Sequence, residues 1–140
     1  MIKGTINDVN FETALEPDGM GSHWFRVSDS LSKIIQADVG DTVSLIVEPM
    51  RTWIEPEVPL DLKYSLDAAK LINQWNTITT KARWEWIRWI RFTNNTVTRE
   101  KRIQVACSML KAGKKRPCCF DQSRCTEILV SKNGVLLATN

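Results

Sequence analysis

The chain has a single histidine, His23, among its 140 residues, and that scarcity removes most nucleophilic and metal chemistry at the outset. A Ser-His-Asp or Cys-His arrangement would have to use His23. It is followed by Trp24-Phe25 with no orienting signature nearby, and a triad is defined by geometry rather than by composition. A structural or solvated histidine is expected. No apolar run approaches the roughly 18 residues that suggest a membrane-spanning helix. The opening MIKGTINDVN lacks the charged-then-apolar order of a signal peptide, so a cytoplasmic protein is expected. P-loop and G-x-G-x-x-G fingerprints are missing. The cysteines Cys107, Cys118, Cys119 and Cys125 lack the C-x2-C spacing of structural zinc sites. With no sign of export, a disulfide framework is not expected either, and reduced thiols are the reading. Asp38 and Asp41 flank Gly40, where turn chemistry is the simpler role. No catalytic residue, cofactor or metal is assigned, and the expectation is a protein that is not an enzyme.

What is present supports a folded protein. Hydrophobic residues make up 43% and charged residues 25% of the chain, enough for one domain or two small ones. The charge is unevenly placed. Residues 1–58 carry 4 Lys/Arg against 10 Asp/Glu, and residues 59–124 carry 14 against 5. An acidic front and a basic back imply two modules, the second able to meet a polyanion.

Residues 1–50 read as strands. Val9, Phe11, Thr13 and Leu15 share one face at the period of two. SDSLSKIIQ suits one or two helical turns capped by Ser28 or Asp29, and DTVSLIVE is rich in β-branched residues. Pro49, Pro56 and Pro59 bracket a surface linker over 51–59. Helical spacing then runs over 60–116 in three segments: LDLKYSLDAAKLINQWNTI, a second capped by Thr77 or Thr79, and TREKRIQVACSMLKAG, capped by Thr98 and closed at Gly113. In the tail, 117–140, Asn133-Gly134 between apolar runs signals a hairpin. It either extends the N-terminal sheet or is a partly ordered end.

Three of the six tryptophans fall in RWEWIRWIRF, residues 83–92. At 100° per residue Ile78, Ala82, Trp86, Trp89 and Ile90 gather on one stripe, which is what a core-facing helix presents. Each buried aromatic removes roughly 150–250 Å² from water. Trp84 and Ile87 fall on the other side. They either pack on a neighbouring element or leave Trp84, with Arg88 and Arg91, as a contact edge. Arg99 and Arg102 at the start of the third helix, and Lys111, Lys114, Lys115 and Arg116 at its end, are a solvated face or a phosphate-binding surface. These nine residues are the candidate contact set for a polyanion or a protein partner.

Four blocks carry a family resemblance: V-P-x-D-L at Val58–Leu62, T-x-x-x-R-x-E-W-I-x-W-I at Thr79–Ile90, T-R-x-x-R-I at Thr98–Ile103, and M-L-x-x-G-K at Met109–Lys114. With RPCCFD behind them, they resemble the C-terminal domain of the bacteriocin-protection, YdeI/OmpD-associated family. The front resembles the second half of the small β-barrel domain of unknown function that commonly precedes it, and HWFRVSDSLSKIIQADVGDTVSLIVEP resembles the strand–helix–strand unit of AbrB-like proteins. Half a barrel exposes sheet edges, to be covered by a homodimer through this module or by the C-terminal hairpin. The resemblance implies a link to antimicrobial-peptide resistance or envelope stress, with no reaction, cofactor or catalytic residue. AbrB-like units imply DNA binding by analogy, but the acidic front argues against DNA there. The expected architecture is α+β: a small β-barrel-like module, a linker and a three-helix bundle. The expected function is a non-enzymatic, stress-protecting binding protein, with nucleic-acid binding by the basic helices as the alternative.

Overall fold

A computed structural model describes residues 1–138. The chain is α+β and falls into two compact units: Met1–Glu16 with His23–Ile54, and Pro17–Ser22 with the residues from Glu55 onward.

The first unit is built on β1 (Ile2–Ile6), β2 (Val9–Thr13), β4 (His23–Trp24), α1 (Asp29–Ile35) and β5 (Leu45–Pro49), and β3 (Glu16–Pro17) falls where the chain passes from one unit to the other. Asn7 and Asp8 both take positive φ, 47° and 64°, the two-residue turn whose twist suits a hairpin. The hairpin pairs Ile6 with Val9 and Ile2 with Thr13. β5 lies antiparallel on the other side of β1, with Ile2 opposite Pro49, so the sheet order is β2-β1-β5. Ile2 and Ile6 are buried, and Phe11 stacks on Phe25 at 5.4 Å. The expected barrel is therefore an open sheet among the described residues, because three strands are too few to close on themselves. Ser28 caps α1, its hydroxyl accepting from Leu31 N at 3.2 Å.

Gly4 sits mid-strand in β1. A Cβ there would overlap the Ile46 carbonyl of β5, so the close approach of the two strands requires glycine. Gly4→Ala is expected to destabilise this unit by about 1–3 kcal/mol through forced separation of the strands, read as a lowered thermal midpoint by circular dichroism. An unchanged midpoint would show that β5 does not sit this close.

The second unit holds α2 (Leu60–Ala68), α3 (Ile72–Thr77), α4 (Thr80–Arg91), α5 (Thr96–Lys111) and the hairpin β6 (Ser131–Lys132)–β7 (Val135–Leu136). There are four helices here where three were expected. The first expected helix breaks at Lys70, which takes φ 56°. Leu71 N donates to Leu66 O and Lys70 N to Asp67 O, the paired bonds of a left-handed helix end. Leu66 and Leu71 are both buried in the core, and burying them outweighs the usual preference for glycine at this position. The end of α5 uses the same device where it was expected: Gly113, φ 82°, follows Ala112, and Lys114 N donates to Met109 O. Thr79 caps α4 through Ala82 N at 3.1 Å. The cap of α5 is Asn95 rather than Thr98: Asn95 Oδ1 accepts from Thr98 N at 3.0 Å, so Thr98 is three residues inside.

The core of this unit joins Leu62, Leu66, Leu71, Trp75, Ile78, Ala82, Trp86, Ile87, Ile90, Ile103, Ala106 and Leu110. α5 packs against α2, α3 and α4 alike. Asn133 and Gly134, both at positive φ, turn β6 into β7 as the Asn-Gly pair requires. This hairpin neither extends the β1 sheet nor stands alone. It forms its own two-stranded sheet, and Leu136 N donates to Asp18 O at 3.0 Å.

Candidate binding surface

The tryptophan stripe of α4 faces inward. Trp86 is 0% exposed, and its Nε1 donates to Lys115 O at 3.0 Å. Ile78, Ala82 and Ile90 are buried with it. Trp89 meets Trp86 edge-on at 5.8 Å but is only half-buried, its outer face covered by the Arg102 guanidinium at 5.4 Å. Ile87, on the far side of the stripe, is also buried. The apolar arc of α4 is thus wider than the stripe alone, because the 56–60 segment passes over it.

Trp84 is half-buried with the Arg88 guanidinium 5.0 Å over its ring. With Ile87 and Arg91 it faces Pro56, Glu57, Val58, Pro59 and Leu60 across a groove of about 370 Å³. The groove is mostly apolar, with a carboxylate and a guanidinium on its lining. That is the composition of a surface that accepts an apolar side chain and orients it by charge.

The charged residues of the motif blocks are mostly spent inside the unit. Arg83, outside the candidate contact set, is a hub. Its Nη1 donates to the carbonyls of Trp75, Asn76 and Ile78, at 3.2, 3.4 and 2.6 Å. Its Nε and Nη2 grip Glu55 at 3.1 and 2.6 Å. That grip, helped by Thr80, holds the Glu55 carboxyl below the usual range. No helical periodicity could announce this role, since it depends on where α3 ends.

Arg99 makes a two-pronged pair with Asp61, at 2.6 and 3.0 Å, joining the V-P-x-D-L block to the T-R-x-x-R-I block. Arg102 donates to the Trp89 and Phe92 carbonyls at 2.8 and 2.7 Å, capping the end of α4, and burial lowers its pKa. Arg91 donates to Thr126 Oγ1 at 2.9 Å and pairs with Glu127 at 3.1 Å. Arg116 lies 3.5 Å from Glu85, a carboxylate only 4% exposed whose other oxygen has no hydrogen-bond partner among the described residues. Lys111, Lys114 and Lys115 are exposed around the end of α5. The nine candidate residues therefore divide: Trp84, Arg88 and Arg91 meet at or beside the groove, Arg99, Arg102 and Arg116 brace the fold, and the three lysines face solvent.

The Arg99–Asp61 pair makes stability pH-dependent. Arg99 holds the Asp61 carboxyl below its ordinary value, against the opposing effect of partial burial. A depressed folded-state pKa means the unfolded state binds the proton more readily. The contribution is then present above the ordinary carboxylate pKa and is lost as pH falls below about 4. Asp61→Asn is expected to flatten the acid limb of a plot of thermal midpoint against pH. An unaltered acid limb would show that the pair adds nothing in water.

No group of three or more metal-ligating side chains occurs among the described residues, and no helix among them is long and apolar enough to cross a membrane. No curated protein and no solved structure matches the chain. Two families do. Residues 1–47 match the Domain of unknown function (DUF1905), and residues 55–113 match the family described as Bacteriocin-protection, YdeI or OmpD-Associated. The second match spans Glu55, Asp61, Arg83, Arg99 and Arg102, whose bonds hold the helices, and the groove residues Trp84, Ile87 and Arg91. The chain thus carries a domain of the bacteriocin-protection, YdeI or OmpD-associated family, preceded by a DUF1905 domain.

Proposed function

We propose that this chain is a non-enzymatic, cytoplasmic binding protein that protects its cell against bacteriocins or related membrane-directed stress. The family match over 55–113 carries this reading. The groove beside Trp84 supports it as the place where an apolar side chain of a protein partner is received. The arginines of the motif blocks are engaged in scaffold bonds, which favours recognition by shape over the alternative of a continuous basic face for nucleic acid. Challenge of cells with and without the chain, using a cationic antimicrobial peptide, tests this. The expected result is a raised tolerated dose that is lost with Trp84→Ala, while fractionation finds the protein in the cytosol. Equal killing in all three strains would overturn it.

The DUF1905 domain supplies a second contact in this reading. Every residue of β5 is exposed, Ile46 by 66%, and β5 lies at the end of its sheet. An open apolar edge strand is a template for another strand. A second copy is the proposed occupant, with β4–α1–β5 as an AbrB-like pairing unit. Light scattering should give a dimer that Ile46→Lys converts to a monomer, and a monomer at every concentration would refute it.

A further inference from the structure

We propose that Cys118 and Cys119 form a two-thiol exchange site for small anionic disulfides, closing reversibly to a disulfide between adjacent residues. The two sulfurs lie 3.0 Å apart and both residues are exposed. Cys119 takes φ 58°, which turns the chain so that neighbouring side chains converge instead of alternating. The pair is held at its root. Trp86 Nε1 binds Lys115 O, and Arg116 pairs with Glu85, so the two residues before Pro117 are tied to the core and the turn is presented outward. Lys114, Lys115 and Arg116 are exposed immediately upstream and would concentrate an anionic disulfide such as oxidised glutathione.

The order of events follows from the pair. The Cys119 thiol is held above the ordinary range by its hydrogen bond with Cys118 and by that neighbour's charge. Cys118, the nearer of the two along the chain to Arg116, attacks as the thiolate. One sulfur of the disulfide bonds to Cys118, and the other leaves as a thiol carrying the released proton. Cys119, deprotonating in turn, displaces the second thiol from Cys118. Two protein thiols are oxidised, one small disulfide is reduced to two thiols, and no other reactant is needed.

Adjacent residues have Cα atoms about 3.8 Å apart across a trans peptide, short of the roughly 4.4–6.8 Å of ordinary disulfides. The closed ring is strained and reopens readily. It forms when disulfide is abundant and is lost when thiol returns. The other cysteines do not compete: Cys125 is buried, and burial pushes the Cys107 thiol up.

The full chain is equilibrated in glutathione buffers from fully reduced to fully oxidised, quenched in acid, alkylated and weighed intact. Wild type should lose two hydrogens and protect two thiols from alkylation in oxidised buffer, mapping to residues 118 and 119, and recover fully in reduced buffer. Cys119→Ser should instead retain a glutathione adduct on Cys118. Three results would each overturn the proposal: unmodified thiols throughout, a stable adduct on wild type without ring closure, or disulfide-linked pairs of chains.

Discussion

Trp86→Ala should cost about 3–5 kcal/mol, the range for emptying a large buried aromatic site. The side chain is 0% exposed at the centre of the helical core. Domains of this size hold roughly 5–15 kcal/mol in total, so this single change should remove a large share of the helical unit's stability. Two controls divide the effect. Trp86→Phe keeps most of the apolar body but orphans the Lys115 carbonyl, and about 1–2 kcal/mol is expected from that loss. Trp84→Ala removes an equally large ring from a half-buried site and should cost much less. Urea unfolding followed by circular dichroism supplies all three values. Near-equal costs for Trp84→Ala and Trp86→Ala would mean that α4 is not oriented as described.

Arg83→Ala should come second, at about 2–3 kcal/mol. The guanidinium satisfies three carbonyls at the end of α3 while holding Glu55. Glu55 is largely exposed, 63% of its side chain, so water screens that half of the interaction and Glu55→Ala should cost under about 1 kcal/mol. The greater part lies with the carbonyls, which lose a charged donor. Arg83→Lys retains the charge but not the fork, and one ammonium cannot serve both sides. It should recover less than half. Equal losses for Arg83→Ala and Glu55→Ala would place the stabilisation in the ion pair instead.

Periodicity made the inward face of α4 legible, because Trp86 and Ile90 lie on one stripe and bury together. Local chemistry made the ends legible where a residue announces them: Ser28, Thr79, Gly113 and Asn133-Gly134 all sit where their side chains or backbone freedom predict. The break at Lys70 was hidden because its cause is tertiary. Two leucines five residues apart are both drawn into the core, and a lysine between them takes the bend. The charged site residues misled for a related reason. An arginine's spacing along a helix does not reveal whether a carbonyl or a carboxylate waits across the gap. Arg99 and Arg102 were expected on a solvated face or a phosphate-binding surface and are struts, and Arg83, outside the candidate set, is a hub. The groove was hidden since one wall comes from the proline-rich 56–60 segment, which has no period to read.

That α5 touches α2, α3 and α4 alike has a consequence for biosynthesis. The three earlier helices leave the ribosome before their common partner exists, carrying apolar faces that α2 and α3 cover for each other only in part. Closure waits for Leu110 to emerge. A nascent chain stalled before residue 96 would be a sticky intermediate, dependent on chaperones, however well each helix forms alone.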